Sequence, residues 1–285
     1  MTEKTITVEG IPYYTLYTAP SHLPQNAPLV LLSHALMSNH RMWDATTTAL
    51  TSNGYRVLTY DHVGHNRTVL PSPPPQKSYH FDDFTRHMRE LVAAVTGSPK
   101  VFAIIGCSMG GVLALRYTML YPDDVVTVVS CDAPGLTALQ ANKGAWSERI
   151  QLFEKDVQNG DDELCCKTVE RWFPGDDEET KRVRTEALGH VKTCSLEGYK
   201  VCADAIRSYD YTEQLGGIKN ECMVLRGKED SAIGPEEVLE DAAKRIKKSK
   251  YVVIERAGHL PPMHRAKEFN EVALPYLNRI RDGKA

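Results

Sequence analysis

Three features of the 285-residue sequence predict an α/β fold: a mostly parallel sheet flanked by helices and interrupted by a helical lid insertion. Short apolar runs without polar alternation, such as Leu29–Leu32 and Val101–Ile105, read as strands covered on both faces. Segments of helical periodicity alternate with these runs, as in a parallel sheet with crossover helices. From about residue 135 to residue 210 the pattern changes to polar, helical sequence with no clear strand.

The elements follow in order. Thr5-Ile6-Thr7-Val8 and Tyr13–Thr18 alternate around Glu9-Gly10-Ile11-Pro12 and predict an N-terminal hairpin. Leu29–Leu32 is the first buried strand. Arg41–Asn53 is helical through Met42, Trp43, Ala49 and Leu50, with Gly54 as its cap. Tyr55–Tyr60 is strand-like, Pro71, Pro73, Pro74 and Pro75 make a stiff loop, and Phe81–Val95 is an amphipathic helix. Strand Val101–Ile105, helix Met109–Tyr121 and strand Val125–Cys131 complete the first half. The pattern breaks after Pro134. The insertion carries Trp146, Trp172 and the acidic run Asp176–Glu179, which reads as a solvated face, like Lys247-Lys248-Ser249-Lys250. Strand logic resumes at Cys222–Leu225, followed by a helix from Pro235 to about Ile246, opened by a proline. Tyr251–Ile254 is the last strand and Ala266–Ile280 the closing helix. The expected organisation is therefore one core, residues 1–134 and 211–285, with a lid at 135–210. Insertions above the carboxyl ends of parallel strands are well placed to cover a ligand crevice.

Composition narrows the functional classes. Apolar residues make up 42% and charged residues 25%, close to the globular average and unlike a disordered, collagen-like or disulfide-scaffold chain. The 34 basic residues against 37 acidic ones leave a net charge of −3 and no surplus to neutralise phosphates, which argues against nucleic acid as a partner. No stretch approaches the roughly 18 apolar residues of a membrane span. Met-Thr-Glu-Lys-Thr does not lead into an apolar signal core, and Arg-Asp-Gly-Lys-Ala is no address signal, so a cytoplasmic protein is expected. Seven cysteines in such a chain read as reduced thiols. Cys165 and Cys166 are adjacent and the other spacings fit no zinc pattern, so no metal site is expected.

The strongest chemical signal is Gly106-Cys107-Ser108-Met109-Gly110-Gly111, set between a strand and a helix. Gly-x-Ser-x-Gly in that context is a nucleophile elbow, a tight turn that lifts a strained serine clear of the sheet. Side chains at Gly106 and Gly110 would clash there. Cys107, in this frame, flanks the elbow and points into the packing. Of the ten histidines, His259 in Ala257-Gly258-His259-Leu260-Pro261 lies just beyond the last strand, on the sheet edge expected for Ser108. His264, at the start of the final helix, is expected to be solvated. An acid must hold the base's tautomer. Asp230, in Gly227-Lys228-Glu229-Asp230, falls between serine and histidine as the elbow's chain order requires; Glu229 beside it and Asp132 at the preceding strand end are alternatives. Two backbone N–H groups should stabilise an oxyanion: Met109, after the nucleophile, and Leu36, in the loop Ser33-His34-Ala35-Leu36-Met37. Ala35 stands where a glycine is usual, so that loop requires a backbone angle open to a side chain. His34, Asp61 and His65 read as loop anchors beside this hole.

These residues and their order resemble the α/β-hydrolase fold over nearly the whole chain. Met42-Trp43-Asp44, Arg171-Trp172-Phe173, Thr193–Tyr199, Cys202–Ile206 and Tyr209-Asp210 are similar to the 3-oxoadipate enol-lactonases. That resemblance implies a serine triad of Ser108, Asp230 and His259, no cofactor, a small lactone substrate, and Arg171 and Trp172 approaching it. The sequence departs from the family at His65-Asn66-Arg67-Thr68, where the family has His-Gly and a serine, at Pro71–Pro75, and at Ala35.

The expected function is a cofactor-free serine hydrolase of a lactone or small ester, working through an acyl-enzyme on Ser108. A carbon–carbon bond hydrolase of a diketone is compatible with the same triad. A non-catalytic ligand-binding protein would use the lid as a clamp.

Overall fold

The computed structural model describes residues 1–72, 77–133, 143–230 and 236–284. Eight strands form one sheet in the order β1-β2-β4-β3-β5-β6-β7-β8. They are β1 (Thr2–Val8), β2 (Ile11–Thr18), β3 (Leu29–Ser33), β4 (Arg56–Tyr60), β5 (Val101–Cys107), β6 (Val125–Cys131), β7 (Glu221–Gly227) and β8 (Ser249–Ile254). β1 and β2 pair antiparallel, as do β2 and β4; the remaining pairs are parallel.

The β1–β2 turn is tighter than expected. Glu9 and Gly10 both take positive φ (46° and 79°), and Ile11 and Pro12 already pair with Val8 and Thr7. Two left-handed residues make a turn whose twist matches the flanking strands. The central strands β3 and β5 are almost wholly buried, as unbroken apolar runs require.

Helices α1 (Asp44–Ser52), α2 (Phe81–Thr96), α3 (Met109–Leu120), α8 (Glu236–Arg245), α9 (Pro261–His264) and α10 (Ala266–Arg281) flank the sheet. The helix expected from Arg41 begins instead as a 3₁₀ turn, His40–Trp43, capped by the Asn39 side chain. Between β6 and β7 lie α4 (Lys143–Asn159), α5 (Glu163–Trp172), α6 (Glu178–Val191) and α7 (Leu196–Ile206), with no strand among the described residues. The amino-terminal part of the expected lid (residues 135–142) together with Pro134, most of the proline loop (residues 73–76) and Pro235 lie outside the described residues. Among the described residues no helix is long and apolar enough to cross a membrane.

β3, β5, β6 and β7 run in parallel, so the loops after all four open at one sheet edge. That edge receives Ser108, Asp132, Asp230 and the loop after β3.

Candidate active site

Ser108 sits between β5 and α3 with φ 56° and ψ −120°. A non-glycine residue in this region costs on the order of 1–3 kcal/mol and persists only when its surroundings enforce it. Those surroundings are close-packed backbone. A Cβ at Gly106 would collide with the carbonyl of Gly110, and one at Gly110 with the carbonyl of Ser33 at the end of β3. Neither glycine has positive φ, so both are required by close approach and not by conformation. Cys107 points inward, fully buried, its thiol 3.6 Å from the His259 carbonyl; burial raises its pKa and keeps it a thiol.

His259 bridges two groups. Its Nε2 lies 2.9 Å from Ser108 Oγ and its Nδ1 2.7 Å from Asp230 Oδ2. His259 and Asp230 are buried at 1% and 2% exposure, Ser108 at 9%. A buried carboxylate accepting Nδ1–H leaves the Nε2 lone pair facing the serine hydroxyl, the geometry that removes a proton from an attacking oxygen.

The other candidate acid, Asp132, does not hold His259. Both its oxygens accept the Gly227 amide at 3.0 Å, and it takes a left-handed φ of 42°. One donor atom from each of Asp132, Asp230 and His259 lies within 4.8 Å of the others. Burial, and then the neighbouring Asp230 carboxyl, push the Asp132 pKa well above the usual carboxylate range. Among the described residues the Glu229 side chain takes no part in this contact; its backbone amide donates to the Ala257 carbonyl.

Leu36 and Met109 line the same cavity as Ser108 and His259. Ala35 needs no left-handed angle, because the loop places it on Met37 (φ 65°). The loop is held by buried neutral histidines. His65 donates Nδ1–H to the Val63 carbonyl and accepts the Met37 amide on Nε2 at 2.9 Å. His34 donates to the Ala35 carbonyl and accepts the His62 amide. Each imidazole uses one nitrogen as donor and the other as acceptor, which only the neutral ring allows. Burial accordingly lowers His65 to about 4 and His62 to about 3, and His34 well below the usual range. Asp61 accepts the His40 amide and Nδ1 at 2.8 Å and the Asn66 side-chain amide at 2.9 Å. The anchoring reading of His34, Asp61 and His65 therefore holds.

Asn66 shows how the departure from the family pattern is accommodated. It has φ 44°, a conformation that asparagine tolerates best among residues with side chains.

His264 corrects the sequence expectation. It ends α9 fully buried instead of standing in solvent. Its Nδ1 accepts the Gly258 amide at 2.8 Å and its Nε2 meets Thr180 Oγ1 at 2.9 Å. Burial lowers its pKa to about 4. It thus ties the His259 loop to α6.

Arg171 and Trp172, at the end of α5, both line the cavity. The Trp172 ring lies 6.3 Å from the His259 ring, and its carbonyl accepts the His259 amide at 2.8 Å. Arg171 is half-buried, its Nε has no hydrogen-bond partner, and no carboxylate forms an ion pair with it among the described residues. Burial first, then Arg149, lower its pKa to about 10. Trp146, Arg149, Thr168 and Tyr199 also line the cavity. Their sequence signal is weak, since it depends on which helix faces turn towards Ser108.

A family model described as the alpha/beta hydrolase family matches residues 29–272. Two 3-oxoadipate enol-lactonases of Acinetobacter baylyi are 24% and 26% identical over 90% and 89% of this chain and 91% and 90% of their own. The crystal structure of an enol-lactonase from Burkholderia xenovorans LB400 superposes with a TM-score of 0.84 at 23% identity, covering 96% of this chain and 99% of that one.

Proposed function

The chain belongs to the alpha/beta hydrolase family, and from that premise we propose that it is a cofactor-free serine hydrolase of a lactone or small carboxylic ester. The observation that carries this reading is the contact of His259 with both Ser108 and Asp230. In the proposed cycle His259 Nε2 takes the Ser108 proton as Oγ attacks the substrate carbonyl. The N–H groups of Leu36 and Met109 stabilise the oxyanion. Asp230 orients His259 and stabilises the imidazolium. The imidazolium returns its proton to the leaving oxygen, giving an acyl-enzyme on Ser108. A water deprotonated by His259 then releases the acid and restores the serine. In a lactone the leaving alcohol stays tethered to the acyl group, so one product forms.

Arg171 and Trp172 are proposed substrate contacts. A desolvated guanidinium that no carboxylate pairs among the described residues favours a substrate that brings its own carboxylate or comparable anion. The reading takes residues 135–210 as a lid on the core formed by 1–134 and 211–285, and the protein as cytoplasmic. Seven free cysteines support that location.

The test is a panel of lactones, esters and β-diketones given to wild type and Ser108→Ala, with product masses read out. Ester or lactone hydrolysis dependent on Ser108 is expected. Cleavage of carbon–carbon bonds alone would replace this reading by the diketone hydrolase. Failure of an active-site phosphonate to label Ser108 would end both.

A further inference from the structure

Two carboxyl groups, not one, stand behind the imidazole of His259. Asp230 follows β7 and hydrogen-bonds Nδ1. Asp132 follows β6, the adjacent parallel strand, in the register that pairs Cys131 with Leu225. Its amide donates to the Leu225 carbonyl at 2.8 Å and its carboxyl holds the Gly227 amide, so its backbone and side chain are both bonded to β7. It is fully buried, and no salt bridge neutralises it among the described residues. Adjacent buried carboxyls cannot both ionise, so the pair holds a proton. Gly227 needs only an acceptor, and a buried carboxyl is a costly way to supply one. A serine hydroxyl or an asparagine amide would serve as well.

The geometry points to Asp132 as a reserve acid, a positioning residue placed to take over the Nδ1 proton of His259 when Asp230 is removed. The inference rests on the reading of His259 as the base. With Asp230 truncated, one carboxyl faces the imidazole instead of two. Like-charge repulsion then no longer opposes ionisation of Asp132. The vacated volume lets its carboxyl close on the His259 ring, one nitrogen of which already lies within 4.8 Å of an Asp132 oxygen. The proton count balances: the proton formerly held by the carboxyl pair is released to solvent, and Asp132 becomes the anion that orients the ring.

Two variants of one residue separate the idea from an ordinary loss of the acid. Asp230→Ala opens the space, whereas Asp230→Asn fills it with an amide that favours the wrong tautomer. Asp230→Ala should retain at least about tenfold more activity than Asp230→Asn, and that advantage should vanish when Asp132→Asn is added to each. A second readout needs no activity. In ¹⁵N-histidine-labelled Asp230→Ala, the downfield Nδ1–H resonance of His259, assigned by its loss in His259→Ala, should persist because a carboxylate still accepts it. Loss of that resonance in Asp230→Ala, or equal activity of the Ala and Asn variants, overturns the inference. An active wild type with either result rejects Asp132 alone, whereas a wild type unreactive to phosphonate rejects the reading of Ser108.

Discussion

The Trp172 carbonyl accepts the amide of His259 at 2.8 Å, so the end of α5 holds the residue that contacts Ser108. Gly258 makes this approach possible, because a Cβ there would strike that same carbonyl. Gly258→Ala should push the two chains apart and displace the imidazole. A displacement near 1 Å costs on the order of 10²-fold in rate. The expected result is a fall of about that size in kcat with a cooperative thermal transition retained; unchanged steady-state kinetics would show that the contact positions nothing.

Ser108→Ala should lower kcat by roughly 10⁴–10⁶-fold, leaving only what the oxyanion donors and binding supply. Turnover of the best substrate from the panel, with phosphonate labelling followed by mass spectrometry, checks it. Normal turnover would remove Ser108 from the mechanism.

Arg171→Leu separates binding from chemistry. One lost charge-assisted hydrogen bond is worth about 1.5–3 kcal/mol, or roughly 10–100-fold in affinity. KM should rise by that factor for a substrate bearing a carboxylate, and stay unchanged for its methyl ester. Equal effects on both would assign Arg171 to packing.

Acid should destabilise the protein well before its carboxylates titrate. His65, His190 and His264 are lowered to about 4 and His62 to about 3, all chiefly by burial. Unfolded, each binds a proton near 6.5. Between about pH 4 and 6.5 the unfolded chain therefore holds more protons, and stability falls as pH falls. Each group contributes up to about 1.4 kcal/mol per pH unit, and 1 kcal/mol moves Tm by about 2–4 °C in a chain of this size. Tm should drop by at least about 5 °C from pH 7 to pH 5 in scanning calorimetry. A flat profile would mean these rings are protonated when folded.

Much of the site was legible because it lies at strand ends. Ser108, Asp132, Asp230 and His259 each follow an apolar run, and parallel strands deliver such positions to one edge. The elbow glycines were legible too, since their spacing alone marks a turn without room for side chains. His264 was not, because its burial depends on Thr180, 84 residues away on α6. Arg149 and Tyr199 escaped for a related reason: helical periodicity identifies an apolar face but not what that face covers. Position 66 departs from the family pattern in sequence. Its left-handed angle shows asparagine doing there what glycine does elsewhere.

Gly64 should tolerate no side chain. It has φ 69°, and a Cβ would collide with the Gly198 backbone at the start of α7. Gly64→Ala should cost about 2–4 kcal/mol, a size reached where backbone strain and a clash coincide. Urea unfolding checks it; a loss under 0.5 kcal/mol, the ordinary surface value, would mean that the two segments separate easily.

That close approach has company. Ser195 donates its amide and its hydroxyl to the Gly64 carbonyl across 131 positions of chain, and Asn66 donates its amide to Thr193. The helical insertion is thus stitched to the loop after β4 at a point far from where it leaves the sheet. Contacts of such long sequence separation form only after the intervening chain has been gathered, so they come late and slowly in folding. The insertion is consequently a poor candidate for transplantation. On any other scaffold it would need a residue without a Cβ at the position of Gly64 to seat against Gly198. Any shuffling of specificity among such proteins must carry both halves of the seam together.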